Sequence, residues 1–313
     1  MKLIKDNTSI DFLNRKPRLI AAVVAAILVL VSLGSLAVRG MAFGIDFTGG
    51  ILLEVGYPEE ANLDRIRQLM AEAGFEDVQV QRFGAATDVM VRLPPQPDTD
   101  PNTVRDSLRD TLAADEPDVE LRRVEFVGPQ VGEDLREQGG TAVIFALCMI
   151  FVYIMFRFQW KFSAGAVAAL AHDVIITLGF FSIFGLQFDL TVLAGLLAVI
   201  GYSLNDTVVV FDRIRENFIA MRGATTLEAM NRSINDTLSR TIITGITTLL
   251  VLLALYYLGG ESVASFSIAL IVGIIVGTFS SIYVASAISL SLGISAQDLL
   301  PPEKDQKLVD DLP

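Results

Sequence analysis

The amino-acid sequence predicts an α-helical polytopic membrane protein with six transmembrane helices and an α/β domain inserted between the first and second helices. The 313 residues are 52% hydrophobic and only 19% charged, whereas soluble domains are typically about 25% charged. Six apolar stretches have about the 20 residues that a helix needs to cross the hydrocarbon core of a bilayer. They are residues 18–38, 139–156, 162–185, 190–211, 241–258 and 264–292.

The apolar stretches divide the chain into five parts. These are an N-terminus (1–17), the first transmembrane helix (18–38), the inserted domain (39–138), transmembrane helices two to six (139–292) and a polar tail (293–313). The first apolar stretch is long and lacks a small-x-small cleavage site, so we expect an uncleaved signal-anchor. The only cysteine, Cys148, lies in the second span, which excludes an intrachain disulfide.

The distribution of charge predicts the orientation in the membrane. Residues 42–138 contain 21 acidic residues, nine arginines and no lysine, and their net charge of −12 equals that of the whole chain. Basic residues lie in the N-terminus, at Arg157 and Lys161, and between the fourth and fifth spans. By the positive-inside rule, both termini are cytoplasmic and the acidic domain lies outside. We do not expect a domain with this excess of negative charge to bind nucleic acid, which is itself a polyanion.

The inserted domain alternates between strand and helix patterns. Residues 51–56, 78–83, 89–93 and 119–127 have the composition of strands, and residues 59–73 and 102–113 have the apolar spacing of helices. The resulting order β-α-β-β-α-β is the split βαβ, or ferredoxin-like, arrangement. Because this fold carries many unrelated activities, it does not indicate a function. The domain has no His, Cys or Lys, which argues against a transition-metal site and lysine chemistry.

Two glycine-rich segments connect the domain to the membrane helices. Glycine adopts positive φ and proline fixes φ, so both segments are expected to turn sharply. The simpler interpretation is a rigid turn where a span meets a strand. The alternative is a hinge on which the domain swings. The candidate hinge residues are Gly44, Asp46, Gly49 and Gly50 on entry, and Gly128, Pro129 and Gly132 on exit.

Four ionisable residues in the spans are candidates for function, because an ionisable group at membrane depth costs about 2.5 to 3.5 kcal/mol on insertion scales. His172 and Asp173 lie in the third span, Asp206 lies in the fourth, and Arg240 begins the fifth. Asp206 is surrounded in the sequence by Asn, Ser and Thr, although such a cluster can also simply hydrogen-bond helices together. A His-Asp pair can cross-link helices in the same way, and an isolated Arg often extends to the interface.

An Asp and an Arg that meet and part can bind and release a proton, since the guanidinium favours the charged carboxylate and burial disfavours it. Asp206 and Arg240 are therefore the predicted proton relay, with Asp173 and His172 in reserve. The chain has no Gly-rich phosphate loop, so we expect no cofactor, with protons as the coupling ion. An intramembrane aspartyl protease using Asp173 and Asp206 would need a Gly-x-Gly-Asp signature, which the sequence lacks.

Five motifs together resemble one known family. They are FGIDFTGG (43–50), VGPQVG (127–132), ALAHDVIIT (169–177), IGYSLNDTVVVFDRIRE (200–216) and SRTIITGITT (239–248). In this order they are similar to the SecD/SecF family of bacterial protein-export membrane proteins, within the resistance-nodulation-division superfamily. The similarity runs from the first span to the sixth.

The resemblance implies a non-enzymatic subunit of the bacterial inner membrane, with its large domain in the periplasm. The partners that the resemblance implies are SecD, the SecYEG channel and YajC. With them, the subunit would use the proton-motive force to assist the late export of a preprotein across the lipid bilayer. The family's proton-pathway residues correspond to Asp206 and Arg240. A small-molecule or lipid exporter of the same superfamily and a non-catalytic scaffold of the channel remain alternatives.

Overall fold

The computed structural model describes residues 10–75, 77–95, 100–221, 223–260 and 263–295. The helices are α1 (Arg15–Val38), α2 (Ile45–Thr48), α3 (Leu63–Glu72), α4 (Pro101–Asp115), α5 (Pro129–Arg157), α6 (Trp160–Phe184), α7 (Leu190–Ala220), α8 (Thr226–Leu258) and α9 (Ala264–Phe279), which continues through a π-helical segment (Ser280–Ala285) into α10 (Ser286–Ser291). The strands are β1 (Ala42–Phe43), β2 (Gly50–Gly56), β3 (Gln79–Phe83), β4 (Ala85–Leu93), β5 (Glu120–Val127) and β6 (Gln187–Phe188).

Six helices in the described ranges are long and apolar enough to cross a membrane: α1, α5, α6, α7, α8 and the continuous α9 to α10 rod. The prediction of a polytopic membrane protein is therefore confirmed. Most of the polar tail and the first nine residues of the N-terminus lie outside the described residues.

Several of these helices extend beyond the apolar stretches that predicted them. α5 begins at Pro129 instead of residue 139, because Gly128 is its N-cap and proline suits the first helical position. α8 begins at Thr226 instead of residue 241, where Thr225 and Glu228 form a capping box. Hydropathy detects only the part of a helix that is apolar, so it places these starts too late.

The inserted domain contains a four-stranded antiparallel sheet in the order β3-β4-β2-β5. Its elements follow the predicted order β-α-β-β-α-β, with α3 and α4 as the two helices. The core joins Leu53 of the central strand β2 with Ile66 of α3 and Leu108 of α4, each no more than 2% exposed. α3 begins at Leu63, later than predicted, because the Asn62 side chain caps it by accepting bonds from two backbone amides.

α6, α7 and the α9 to α10 rod form the centre of the helix bundle. Small residues allow close contact: Gly179 of α6 faces Ser32 of α1, and Gly273 of α9 faces Val199 of α7, each so closely that a Cβ on either glycine would lie within 2.3 Å of the facing side chain. This use of small residues is typical of membrane helices. α1, α5 and α8 lie at the periphery and expose apolar faces.

A second, unpredicted sheet ties the domain to the bundle. β1, just before α2, pairs in parallel with β6, just before α7, through the pairs Ala42 with Gln187 and Phe43 with Phe188. Two-residue strands leave no periodic pattern in a sequence, which is why this pairing was not predicted.

Candidate functional site

Asp206 lies on the buried face of α7. It is only 3% exposed, and its Oδ2 atom has no hydrogen-bond partner among the residues that the structure describes. One turn earlier on the same helix, the buried Tyr202 hydroxyl is also without a partner there. An unpaired buried carboxyl is costly unless something else satisfies it. The face of α7 that carries Asp206 therefore has two buried polar atoms that lack hydrogen-bond partners among the described residues.

Arg240 lies on α8, which packs along both α7 and α9. Its positive charge acts electrostatically on the Asp206 carboxyl. No nitrogen of its guanidinium forms an ion pair or hydrogen bond with any residue in the described ranges, and the side chain is exposed. The structure thus places the predicted pair on neighbouring helices, close enough to interact through charge but not in direct contact.

The polar residues that surround Asp206 in the sequence point elsewhere in the structure. Ser203 donates to Asp173, Thr207 forms a 2.9 Å hydrogen bond with Ser281, and Asn205 is exposed. Residues four apart share a helix face, so Ser203 and Thr207 lie together, and Asp206 lies on the face of Tyr202. Ser203, Asn205 and Thr207 are close to Asp206 in the sequence, but the helix directs them to other faces of α7, so they do not form a cluster with it.

Asp173 is the centre of a second buried site, the Asp173 cluster, which comprises His172, Asp173, Ser203 and Ser280. Oδ1 of Asp173 lies 3.0 Å from His172 Nδ1, and Oδ2 accepts hydrogen bonds of 2.7 Å from both Ser203 and Ser280. All four residues are at least 94% buried. The cluster joins α6, α7 and the π-helical segment, and both carboxylate oxygens of Asp173 are satisfied.

The π-helical segment brings two adjacent serines into this region. Ser280 contacts Asp173, while Ser281 bonds to Thr207 and donates to the backbone carbonyl of Ser203 at 3.4 Å. π-helical turns are rare and frequently lie at functional sites. Neither serine was among the predicted site residues. The only signal was their position as a polar pair in an apolar span.

His172 contributes to the cluster through one ring nitrogen. Its Nδ1 atom faces Asp173, its ring stacks on Phe279 with centroids 6.3 Å apart, and Nε2 is buried with no partner among the described residues. Asp173 and Asp206 share no hydrogen bond with each other in the described part of the chain. The paired carboxyls that an aspartyl protease requires are therefore not formed.

The two glycine-rich segments meet in one close-packed joint, formed by residues 43–50, residues 128–132 and β6. The Gly44 amide donates to the Phe188 carbonyl at 2.8 Å. Asp46 accepts a 2.9 Å bond from the Leu190 amide through Oδ2, and so binds the first turn of α7. A negative charge at a helix N-terminus is favourable. The joint thereby connects the domain to the helix that carries Asp206.

Glycine is required at three positions of the joint. Gly49 and Gly50 have φ of +70° and +123°, and a Cβ on Gly50 would lie 2.3 Å from the Leu93 carbonyl oxygen. Gly132, in the first turns of α5, packs on the Gly49 backbone, where a Cβ would be 2.7 Å from the nitrogen. Gly128 and Pro129 begin α5. This packing matches the rigid-turn interpretation locally.

Arg92 of β4 links the sheet to the joint. It is 8% exposed, and its guanidinium donates to the Phe43 carbonyl at 3.0 Å. Burial lowers the pKa of Arg92, while the negative charges of Asp189 and Asp46 oppose that shift. This role could not be predicted from the sequence, because Arg92 lies far from the joint in the chain.

The described residues contain no group of three His, Cys, Asp or Glu side chains that could hold a metal ion. The side chains at the two buried sites carry carboxyl, hydroxyl and imidazole groups, and of these the carboxyl and imidazole groups bind and release protons in the physiological pH range when their surroundings shift them.

Comparisons with known proteins identify the family. Residues 107–295 match the family described as "Protein export membrane protein SecD/SecF, C-terminal", and residues 34–57 match the "SecD/SecF GG Motif". The chain is 47% identical over 315 aligned positions to the "Protein translocase subunit SecF" of Vibrio alginolyticus, covering 100% of this chain and 99% of that protein. It is 48% identical to the protein of the same name from Pseudomonas aeruginosa, over 95% and 96% of the two chains.

Among solved structures, the chain is similar to the crystal structure of SecDF, a translocon-associated membrane protein from Thermus thermophilus, with a TM-score of 0.83 and 37% identity. The match covers 91% of this chain but only 39% of the SecDF chain, so this chain spans about two fifths of that protein. The sequence resemblance is confirmed: the chain belongs to the SecD/SecF family of protein-export membrane proteins.

Proposed function

We propose that this chain is an accessory subunit of the Sec protein-export machinery and works with a SecD subunit. Its full-length relatives are named protein translocase subunit SecF, and the SecDF structure contains a segment like this chain within a much longer one. The remainder of SecDF is what a separate partner would supply here. The wider assembly that we propose comprises the SecYEG channel, YajC and the translocating preprotein.

The proposed mechanism is a proton relay through Asp206 and Arg240, driven by the proton-motive force. The observation that carries it is the Oδ2 atom of the buried Asp206, which has no partner among the described residues and lies within electrostatic reach of Arg240 on the neighbouring helix. A carboxyl in this setting binds a proton when the guanidinium is distant and releases it when the guanidinium approaches. One charge crossing the membrane supplies about 2.3 kcal/mol per 100 mV.

The partner subunit is proposed to complete the relay at the open face of α7. Ala194, Ala198, Gly201 and Asn205 form an exposed stripe there at helical spacing. Small residues let a second helix approach closely, and in repeat-built transporters the coupling site lies between the two halves. A helix of the partner on this stripe would lie beside the Asp206 face.

We propose that the inserted domain is a ferredoxin-like domain in the periplasm and that both termini are cytoplasmic. In support of this orientation, ion pairs that include Arg157 with Asp212 and Arg213 with Asp236 lie at the ends of the helices away from the domain. The positive-inside rule counts arginine and lysine rather than net charge, so it assigns the ends that carry Arg157 and Arg213 to the cytoplasmic side. The orientation can be tested by labelling single cysteines from either side of the membrane.

The joint is proposed to transmit motion between the relay and the domain. Asp46 contacts the first turn of α7, and Asp206 lies on the same helix. A change in the tilt of α7 on protonation would therefore act directly on the segment around Gly44, Gly49 and Gly50. On the exit side, Pro129 and Gly132 pack against Gly49 of the same segment, and Gly128 is the N-cap of α5. In the proposed hinge motion, the joint and the first turn of α7 move together, relative to the rest of the bundle.

The deciding experiment is the substitution Asp206→Asn, which keeps the side-chain volume and removes proton binding. In membrane vesicles that contain the complete export machinery, we expect the proton-motive-force-dependent part of preprotein export to fall at least tenfold. The matched control is Asp212→Asn on the same helix, where the carboxyl is half-exposed and paired with Arg157 at 3.0 Å. That change should leave export within twofold of normal.

Retention of the force-dependent export in Asp206→Asn would contradict the relay. If the chain is only a scaffold, we expect export to be retained and the normal and Asp206→Asn chains to associate equally with the partner subunits. Loss of association in Asp206→Asn would instead indicate a structural role. Co-purification measured alongside export separates these outcomes.

A further inference from the structure

An apolar cavity lies between the joint and the helix bundle, at the end of the bundle that carries the inserted domain. Its volume is about 280 Å³. Ten of its eleven lining residues are glycine or have apolar side chains, including Phe43 and Phe47 of the joint, Val143 of α5 and Leu178 of α6. An apolar cavity of this kind stays free of water and takes up apolar ligands.

The cavity lies where α5 and α7 leave space between them. α5 packs on α2 and α6 but makes little contact with α7. Gly139 closes one side, where its Cβ would lie 2.8 Å from Leu193. Gly140 is exposed, and a Cβ there would meet no atom within 4 Å. The mouth of the cavity is therefore at Gly140.

The eleventh lining residue is Arg136, one turn before Gly140 on α5. Its guanidinium has no ion pair or hydrogen bond with any residue in the described ranges. Arg136 precedes the apolar stretch that begins at residue 139, which places it at the depth of lipid headgroups. A guanidinium at headgroup depth above an apolar cavity can pair with the phosphate of a phospholipid whose hydrocarbon chain enters the cavity.

We propose that this cavity binds an acyl chain of a membrane glycerophospholipid whose phosphate contacts Arg136. A segment of exported polypeptide fits less well, because its backbone amides and carbonyls need partners when buried and the cavity offers only the guanidinium. Lipid hydrocarbon has no such requirement. The bound chain would fill the space between α5 and the joint and so support the contact between the domain and α7.

The test uses the full chain with its partner subunits, reconstituted in phosphatidylcholine nanodiscs doped with a phosphatidylglycerol that carries a diazirine at the end of one acyl chain. After illumination, labelled peptides are identified by mass spectrometry. We expect labelling of the α5 segment around Val143 and of the joint near Phe47. Gly140→Trp, which blocks the mouth, should reduce this labelling at least fivefold.

Gly34→Trp is the matched control. Gly34 also lies in a membrane helix, is exposed and has no atom within 4 Å of a Cβ, but it does not line the cavity. It should leave the labelling unchanged. Arg136→Gln should weaken labelling by the phosphatidylglycerol probe about threefold and leave labelling by an otherwise identical diacylglycerol probe unaffected. If Gly140→Trp does not assemble, Gly140→Leu serves with the same expectation.

Equal labelling of the normal and Gly140→Trp proteins would overturn the proposal, because it would show only general contact with surrounding lipid. Reduction by Gly140→Trp with no effect of Arg136→Gln on either probe would overturn the role of the phosphate. Labelling displaced by a stalled preprotein segment but not by added unlabelled phosphatidylglycerol would favour a polypeptide occupant instead. None of these measurements requires proton flow, so they are independent of the relay.

Discussion

The bundle contains two buried aspartates on adjacent helices, and their surroundings differ in one respect. Asp173 has every carboxylate oxygen engaged, by His172, Ser203 and Ser280. Asp206 has an oxygen with no partner in the described part of the chain. Both are at most 3% exposed, so burial does not distinguish them. The hydrogen bonds of Asp173 are complete within this chain, whereas Oδ2 of Asp206 still needs a hydrogen-bond partner.

The difference in hydrogen bonding indicates different roles for the two aspartates. A satisfied buried network rigidifies the helices that it joins, which suits a structural role for Asp173. An unsatisfied buried group lowers stability and persists where function demands it. In the proposed relay, Asp206 would therefore be the residue that changes its partners, while Asp173 would hold α6, α7 and the π-helical segment in place.

The largest expected difference is between Asp173→Ala and Asp206→Ala. Removing Asp173 leaves two buried hydroxyls and an imidazole without their acceptor, and should reduce the free energy of unfolding by about 3 kcal/mol. Removing Asp206 deletes a group that lacks a full set of partners, and should change it by less than about 1 kcal/mol. Unfolding by dodecyl sulfate in mixed micelles measures both. A larger loss for Asp206→Ala would reverse the comparison.

Single polar side chains of α7 should show the same contrast on a smaller scale. Ser203→Ala removes a 2.7 Å hydrogen bond to a carboxylate and should cost about 2 kcal/mol of unfolding free energy. Asn205→Ala, two residues later and exposed, should stay within about 0.5 kcal/mol. The same micelle assay applies. Equal effects would indicate that Ser203 does not serve Asp173.

The bond between Thr207 and Ser281 connects α7 to the π-helical segment at 2.9 Å. Thr207→Val preserves shape and removes the hydroxyl, which should cost about 1 kcal/mol. A double-mutant cycle with Ser281→Ala isolates the pairwise contribution. We expect a coupling energy close to the single effect, and additivity would show that the two hydroxyls do not interact.

The smallest expected effect is at Tyr202, on the Asp206 face of α7. Its hydroxyl is buried with no partner among the described residues, so Tyr202→Phe should leave the isolated chain as stable as before or up to about 1 kcal/mol more stable. If the partner subunit bonds to this hydroxyl, the same change should weaken co-purification with that subunit. A clear loss of stability in the isolated chain would show an internal partner.

The hydrophobic pattern was sufficient to predict the six spans and the order of strands and helices in the inserted domain. It was less accurate for helix ends, because capping by Thr225 and Glu228 and the proline at position 129 extend helices into polar sequence. Local rules of this kind are present in the sequence but are weaker signals than hydropathy. They become decisive only once the neighbouring elements are known.

The candidate site was predicted only in part. Asp206, Asp173 and His172 could be predicted from the cost of burying charge in a membrane. That argument requires only the type of residue and its position within an apolar span. The contacts of Ser280, Asp46 and Arg92 could not be predicted, because they join residues that are distant in the chain. Which hydroxyl faces which carboxylate depends on helix rotation, and the sequence does not determine that angle.

The length of α7 gives Asp46 a mechanical role. With 31 residues and a rise of 1.5 Å each, the helix is roughly 46 Å long, well beyond the roughly 30 Å of hydrocarbon. Asp206 lies near its middle and Asp46 holds one end. Turning about that middle by only about 5° would carry each end sideways by about 2 Å, in opposite directions. In the proposed relay, a small tilt of α7 about Asp206 would therefore displace the joint at one end of the helix and, at the same time, the opposite end in the other direction.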